Sequence, residues 1–488
     1  MIESNLPVLQ VIIALCSAPI CSLIRFRHVA WLFTSIVTFL TLIISILLAI
    51  EVYSDIQILY FLGNWEPPYG IEYRVDPLSS FMLVLTSLVG FVAAIYSKES
   101  VEFEINPDLH SYFYATYLLL FAGLLGIIIT NDAFNVYVFL EISSLATYAL
   151  IAMGNDRRSL TSAFEYLILG TIGATFILIA IGLLYMMTGT LNISDLAVKI
   201  QEYKYTTPIK AALAFLSIGF ALKVAMFPLH TWLTNAYSLA PSFVAVFLSA
   251  TATKVSIYFF IRFLYFMYGY DFSFVETLLP SLLMLFGILA IIICSYMAIL
   301  QYDVKRILAY SSVAQLGYMI LALGLANVEG LTAIFIHLFN HAIIKAALFM
   351  AAGCVVYSIG SSRLVDFKGL GRKMPYTMAA FLIAGLALIG VPSTSGFISK
   401  WYLLQALMHK DYWLIFAIVI ISSILSIVYV WRVIEVAYFS ERSNRLPDVK
   451  EAPISMLIPM WFFVVISIVF GVYACLLYTS PSPRDKTV

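Results

Sequence analysis

Apolar residues recur in runs of about twenty from one end of the chain to the other, and each run is long enough to cross a bilayer as a helix. Fourteen such spans are predicted, at about 8–24, 30–52, 77–97, 111–130, 131–153, 161–187, 208–233, 240–265, 275–300, 305–327, 328–358, 377–407, 412–438 and 455–474. Polar punctuation separates them. Thr130-Asn131-Asp132 divides the fourth from the fifth and offers side-chain oxygens suited to a helix N-cap. Asn327 and Gly330 divide the tenth from the eleventh. Between the second and third, FLGNWEPPYGIEYRVDP is rich in glycine, proline and aromatic residues, which predicts a hairpin and an extended segment outside the lipid.

Two spans break their own pattern. The seventh contains LKVAMFPLHTWL, with Lys223 close to Pro228, and the twelfth contains GVPSTSGFISKW, with Pro392 and Gly396 close to Lys400. Proline and glycine interrupt the helical ladder at these points and admit water and side chains where an intact helix excludes them. No repeat is visible at the level of residue identity. Two interrupted helices in corresponding places, each with one lysine, are nevertheless the pattern of a transporter built from inverted repeats.

Of the 488 residues, 62% are hydrophobic and only 11% charged, against about 25% charged in soluble domains. The chain is therefore an all-α polytopic membrane protein. Its net charge is zero, so nothing points to nucleic acid or to an acidic partner. The first span lacks a basic leader and runs on into further spans, which predicts that it is retained. Cys16, Cys21, Cys294 and Cys354 lie inside apolar spans with no metal-ligand spacing, so no metal or cofactor site is predicted. Lysine and arginine set the orientation. With the first loop (Arg25, Arg27) cytoplasmic, the inner side also holds Lys98, Arg157, Arg158, Lys305, Arg306, Arg363, Lys368, Arg372, Lys373, Arg442, Arg445 and Lys450. The outer side holds Arg74, Lys199, Lys204, Lys210 and Lys410, so both termini are expected outside a plasma (cell inner) membrane.

Charges in the middle of spans carry the chemistry. Each costs about 2.5–3.5 kcal/mol on insertion scales, so several in one chain share water, partners or a purpose. Glu141 sits mid-way along the fifth span, Lys223 in the seventh, Lys254 mid-way along the eighth and Lys400 in the twelfth. His337, His341 and Lys345 recur every fourth residue in IFIHLFNHAIIKAALF, which puts all three on one face of one helix. Snorkelling from a helix end accounts for Arg262, Arg432 and Lys210, but fails for Lys223, Lys254 and Lys345, which have apolar residues on both sides. A structural ion pair between Glu141 and Lys223 is the plain alternative, with Glu165 as a further member of that cluster. A buried lysine beside a carboxylate is also a proton switch, since burial disfavours the ammonium and the carboxylate favours it. Histidine bridges such sites without a large energy step. His230, two residues beyond Pro228, is expected to cap or line an entrance.

FNVYVFLEISSLATYAL, KVAMFPLHTWLTNAYSLAPS, QYDVKRILAYSSVAQLGYM, HLFNHAIIKAALFMAAG and GVPSTSGFISKWYLL resemble, in order, the antiporter-like subunits shared by respiratory complex I and the Mrp-type multisubunit sodium/proton antiporters. DAFNVYVFLEI looks most like the D subunit of Mrp antiporters. The resemblance spans roughly residues 70–440. It implies fourteen helices: N-terminal helices and an outer loop (1–110), two inverted five-helix repeats (111–265 and 275–438) and a last helix (455–474). It also implies a lateral proton route in which Glu141 and Lys223 are the charged pair and Lys254 the connecting lysine. His337, His341 and Lys345 would be the central relay and Lys400 the terminal lysine. Thr234 and Ser393-Thr394 depart from the family pattern beside these charges without replacing them. The final run, CLLYTSPSPRDKTV (475–488), resembles the translation of a sequencing-library adapter, and the natural chain is expected to continue past Ala474.

Three readings follow. The leading one is a proton-translocating subunit of a multisubunit cation/proton antiporter, with other membrane subunits as partners and protons and sodium ions as the carried species. The second is a membrane-arm subunit of complex I or a related hydrogenase-type enzyme. No flavin, iron–sulfur or quinone motif occurs, so any redox chemistry would belong to partner subunits. The third is a structural scaffold.

Overall fold

In hydrocarbon every backbone N–H and C=O must be bonded within its own segment, so apolar runs of this length fold as helices. The computed structural model of the chain describes residues 5–55, 57–275, 277–441 and 449–479 and divides into two units, Met1–Leu279 and Pro280–Val488. The first unit opens with α1 (Leu6–Leu23) and α2 (Arg27–Asp55), then a two-stranded antiparallel hairpin of β1 (Ile58–Phe61) and β2 (Glu72–Val75), in register from Ile58 opposite Val75 to Phe61 opposite Glu72. This is the hairpin expected from the Gly/Pro-rich run. It is followed by α3 (Pro77–Glu104), α4 (His110–Ile129), α5 (Ala133–Ala152), α6 (Arg157–Thr188), α7 (Ile193–Tyr203), α8 (Thr207–Val224), α9 (Thr231–Leu239), α10 (Ser242–Ala250) and α11 (Ala252–Ile261). The second unit holds α12 (Leu279–Leu289), α13 (Ser295–Ile299), α14 (Val304–Leu325), α15 (Val328–Ile359), α16 (Leu370–Lys373), α17 (Pro375–Ile389), α18 (Ser395–Met408), α19 (Trp413–Phe439) and α20 (Ile454–Thr479). Among the described residues thirteen helices are long and apolar enough to cross a membrane. The predicted twelfth span is divided between α17 and α18.

A duplication that residue identities hide is written in the backbone. In the first unit the Ala133 N–H bonds the Leu191 carbonyl and the Ile193 N–H bonds the Asn131 carbonyl, both at 2.8 Å. In the second unit Val304 bonds Ser362 and Leu364 bonds Tyr302, again both at 2.8 Å. Positions 133 and 304, and 193 and 364, share one offset of 171 residues. The same offset relates the N-caps Asp132 and Asp303, the N-caps Asp156 and Asn327, and the left-handed C-caps Gly189 and Gly360. These caps close orphan amide donors with side-chain oxygens and orphan carbonyls with a glycine turn, which is why short polar and glycine positions persist where the apolar residues between them diverge.

The two interruptions share one geometry as well. At the end of α8, Ala225 is left-handed (φ 58°), its N–H bonds the Leu222 carbonyl at 3.1 Å, and the Met226 N–H bonds the Ala221 carbonyl at 2.8 Å. At the end of α17, Gly390 (φ 88°) bonds Ala387 at 3.1 Å and Val391 bonds Leu386 at 3.2 Å. Both are Schellman caps. Pro228 lies in the first gap and Pro392 in the second, while Gly396 lies in the first turn of α18. There its missing side chain matters, because a Cβ would sit 1.9 Å from the Ala387 carbonyl oxygen.

Several expectations are corrected. The eighth span is itself interrupted at Thr251 (φ −123°, ψ −57°), between α10 and α11, and continues as a π-helical turn over Arg262–Met267. Arg262 does not snorkel: its guanidinium pairs with Asp76, the N-cap of α3, at 2.5 Å, with both side chains 11% exposed. Arg432 donates to the Ile299 carbonyl and, at 2.9 Å, to that of Gln301, just past the end of α13. Glu165 is exposed and accepts from Asn235 at 2.7 Å rather than joining Lys223. The amphipathic α7 had no counterpart in the span pattern. Residues 480–488 of the adapter-like run lie outside the described residues.

The close approach at the second break generates a stability test. Gly396→Ala should destabilise the detergent-solubilised full chain by about 1–3 kcal/mol, the usual cost of forcing atoms into a packed site. Gly182→Ala, on α6 with no atom within 4 Å of its virtual Cβ, should be neutral or stabilise by up to about 1 kcal/mol. Thermal melts of the two variants beside the wild type read the difference, and equal melting temperatures would discount the contact.

Candidate functional site

In the first unit α5 presents Glu141 and, one turn later, Ser144 toward the last turn of α8. The Lys223 ammonium donates to Ser144 Oγ at 2.7 Å and lies 3.9 Å from Glu141 Oε1. The lysine side chain is 3% exposed and the glutamate 21%. Glu141 Oε1 has no hydrogen-bond partner among the described residues. A carboxylate oxygen with lone pairs unspent, within ion-pair distance of a buried ammonium, is a place where a proton can be received. A cavity of about 20 Å³ opens beside Lys223, lined also by Ser143, Ser144, Thr147, Tyr166 and Ser256, and that volume admits roughly one water. The gap after α8 is sealed from the other side. Trp232 Nε1 donates to the Leu222 carbonyl at 3.0 Å, and its ring stacks on Tyr166 at 3.9 Å between centroids. His230 Nδ1 lies 3.2 Å from the Pro228 carbonyl and its ring stacks on Phe227.

Lys254 is fully buried on α11. Its ammonium donates to the Ser249 carbonyl, which the Thr251 interruption leaves open, and lies 3.4 Å from Thr253 Oγ1. The Tyr237 hydroxyl donates to the neighbouring Leu248 carbonyl at 3.0 Å. Among the described residues no carboxylate lies within salt-bridge distance of Lys254 or of Lys400.

The second unit carries its relay on α15, where His337, His341 and Lys345 are all buried, as their spacing predicted. The two imidazoles are parallel within 9°, with centroids 5.9 Å apart. Lys345 Nζ donates to the Leu308 carbonyl at 2.8 Å and to Ser311 Oγ at 2.6 Å, both on α14. His337 Nδ1 lies 2.8 Å from Ser399 Oγ, and the next residue in the chain is Lys400. The Lys400 ammonium reaches back across the break to the carbonyls of Leu388 (3.4 Å) and Ile389 (2.7 Å) and to Ser423 Oγ (3.2 Å). A Schellman cap satisfies the carbonyls two and three places before the helix end and leaves the last ones open. Lys400 occupies that opening, where the negative end of the α17 dipole favours a cation.

Tyr318, on α14, was missed by the sequence reading. Its ring lies 5.9 Å from that of His337 and 5.2 Å beneath the Lys400 ammonium, and its hydroxyl donates to Ser422 Oγ at 2.8 Å. With Ser399 it joins the histidine face of α15 to the lysine of α18 around a cavity of about 10 Å³. A tyrosine in an apolar helix gives no signal in sequence, because its hydroxyl partner is 104 residues away. Ser144, whose partner Lys223 is 79 residues away, was missed for the same reason. Among the described residues no group of three His, Cys, Asp or Glu side chains is placed to hold a metal ion.

Buried lysines set at helix interruptions in a duplicated, mostly helical frame mark a polytopic membrane subunit, and the chain belongs to the family described as NADH:quinone oxidoreductase/Mrp antiporter, TM, which matches residues 130–426. It is 43% identical over 428 residues to NADH-quinone oxidoreductase subunit N of Desulforudis audaxviator, covering 85% of this chain and 84% of that one. It is 31% identical over 433 residues to the D subunit of the Na(+)/H(+) antiporter of Alkalihalophilus pseudofirmus, covering 88% and 86%. Among solved structures it matches a chain of the membrane-bound sulfane sulfur reductase, an archaeal respiratory membrane complex, with a TM-score of 0.89, 31% identity and coverage of 97% and 96%. The family resemblance and the helical membrane architecture read from the sequence are thereby shown.

The Glu141–Lys223 contact generates a thermodynamic test. Removing one partner of a buried pair strands the other charge, so Glu141→Gln and Lys223→Met should each destabilise the chain more than the double variant does. A double-mutant cycle on thermal stability should return a coupling of about 1 kcal/mol, within the range for contacting residues. Additive effects would show that the two charges do not interact.

Proposed function

We propose that this chain is a proton-translocating membrane subunit of a multisubunit complex, moving protons along a chain of Glu141, Lys223, Lys254, His337, His341, Lys345 and Lys400. The single observation that carries the reading is the Glu141–Lys223 pair: a carboxylate oxygen without a hydrogen-bond partner, a buried ammonium, a water-sized cavity and an opened helix at one point. While Glu141 is charged it holds the proton on Lys223. When Glu141 is neutralised the ammonium loses that support and its proton is free to move on. Among the described residues Lys254 and Lys400 have no carboxylate at salt-bridge distance and rely on open carbonyls, which hold a cation less firmly than an ion pair does and suit groups that pass a proton on. His337 and His341 lie between them in role, since imidazole gives and takes a proton near neutral pH.

In this reading residues 111–265 and 275–438 are the two repeats, with 1–110 as N-terminal helices and outer loop. Pro228 and Pro392 mark the gaps, and Gly396 lets the two halves of the second broken helix meet. The lysine and arginine bias sets both termini outside a plasma membrane. The partners are other membrane subunits. What drives transport has two readings. The relative from the Na(+)/H(+) antiporter supports exchange of protons against sodium ions, and the higher identity to NADH-quinone oxidoreductase subunit N favours a complex whose redox centres lie in other subunits.

Reconstitution of the assembled complex in liposomes with an entrapped pH dye tests the core claim. Lys223→Ala should leave assembly intact and lower proton flux roughly a hundredfold, the lower end of what a positioned proton donor contributes. Normal assembly with full flux would leave only a scaffold role. Flux that follows an imposed sodium gradient identifies the antiporter, and flux that appears only with electron donor and quinone identifies the redox-driven complex.

A further inference from the structure

A second cavity of the first unit lies away from Lys223 and Lys254. It has a volume of about 200 Å³, ten times that beside Lys223, and lies where β2, the α4–α5 junction, the start of α7 and the end of the eighth span meet. Its polar wall is made of Arg74, Asn131, Ser194 and Arg262, and its apolar wall includes Phe259 and Phe266. Phe266 is 49% exposed, so the cavity adjoins the outward-facing surface of the span.

The hydrogen bonds leave this wall presenting donors. Ser194 Oγ accepts from Asn131 Nδ2 at 2.8 Å and from Arg74 Nη1 at 3.2 Å. Both lone pairs of the hydroxyl are thereby used, and its own proton is left to give. Arg74 Nε is buried without a hydrogen-bond partner. The Ser194 N–H, in the first turn of the 11-residue α7, has no partner among the described residues, whereas Ile193 and Asp195 on either side bond Asn131 and Asn192. The nearby acids are engaged elsewhere. Asp76 holds Arg262, Glu72 accepts from Asn192 at 2.7 Å, and Asp195 pairs with Lys199 at 3.1 Å. Among the described residues no carboxylate lies within salt-bridge distance of Arg74.

We propose that this cavity binds a phosphate-bearing anion, with Arg74 as its principal contact and Ser194 contributing both its N–H and its O–H. A guanidinium matches phosphate oxygens through parallel N–H bonds, and a helix N-terminus adds an aimed amide and a positive dipole end. Arg262, already neutralised by Asp76, supplies a polar floor rather than the main charge. The apolar wall accepts the first carbons of an alkyl chain, so the same chemistry is met by an anionic phospholipid headgroup or by free phosphate. The site shares no residue with the proton route proposed above and stands or falls separately from it.

The test uses the full chain in its complex, delipidated in detergent, with unfolding followed by tryptophan fluorescence. Phosphatidylglycerol, diacylglycerol and inorganic phosphate are titrated in turn. The expected result is a saturable rise in melting temperature with phosphatidylglycerol and none with diacylglycerol. Arg74→Gln should raise the half-saturating concentration at least about tenfold, since a charge-assisted forked contact is lost, and Ser194→Ala should raise it by a smaller factor. Arg158→Gln, an exposed guanidinium elsewhere, should change nothing. A rise with inorganic phosphate that Arg74→Gln also weakens identifies the free ion as a sufficient ligand, and a rise with the lipid alone identifies the headgroup. If Arg74→Gln fails to fold, Arg74→Lys and Ser194→Ala carry the comparison. No shift with either phosphate source, or shifts that the Arg74 and Ser194 variants leave unchanged, overturns the proposal.

Discussion

A helix that stops inside a bilayer-spanning bundle leaves its last carbonyls without water, and every one of them must find a donor from within the protein. Three interruptions impose that demand here, at the ends of α8, α10 and α17, and the donors recruited there are the groups that make the chain chemically interesting. Tyr237 and Lys254 answer the carbonyls of Leu248 and Ser249, Lys400 answers those of Leu388 and Ile389, and Trp232 adds a second donor to the Leu222 carbonyl that the Ala225 N–H already serves. Open carbonyls are also what allow a lysine to be buried without an acid beside it. An ammonium has three protons to place, and a severed helix end supplies oxygens carrying a partial negative charge.

Glu141 and Lys223 follow a different economy. There the break is closed by its own backbone and by an indole, so the lysine is turned toward α5, where a serine and a carboxylate receive it. The ammonium therefore answers to a group that can itself change charge, whereas Lys254 and Lys400 answer to dipoles that cannot. In the proposed route the first contact can be switched, and the other lysines face surroundings whose charge stays fixed. That division of labour follows from which atoms sit at hydrogen-bond distance, before any partner subunit is considered.

Much of the architecture is legible in the sequence because hydrocarbon leaves so few alternatives. Runs of twenty apolar residues fold as helices, Asp132 and Asn327 cap them as their side chains dictate, and the spacing of His337, His341 and Lys345 fixes their common face. What stayed hidden depended on long-range partners or on backbone states that residue type does not announce. The left-handed residue of the first break is Ala225, where glycine would have signalled the turn, and the gap at Thr251 has no proline or glycine at all. Arg262 looked like a snorkelling side chain because its partner, Asp76, lies 186 residues earlier. The duplication showed in the residues only as two interrupted spans, for the opposite reason. It is conserved in caps and backbone bonds, which use few residues, and not in the apolar surface between them.

The duplicated frame hides one asymmetry. In the first unit Lys223 belongs to the same half-helix as the end it adjoins, so its charge ties nothing across the gap. In the second unit Lys400 rides on α18 and grips the terminal carbonyls of α17. The charge there acts as a clasp between two halves of a broken rod. An amine stripped of that proton keeps two hydrogens and no charge, and so grips the dipole end more weakly. If Lys400 passes its proton on in the proposed route, that joint tightens and slackens with it, and a shorter counterpart exists in the first unit, where Lys254 on α11 reaches the Ser249 carbonyl of α10.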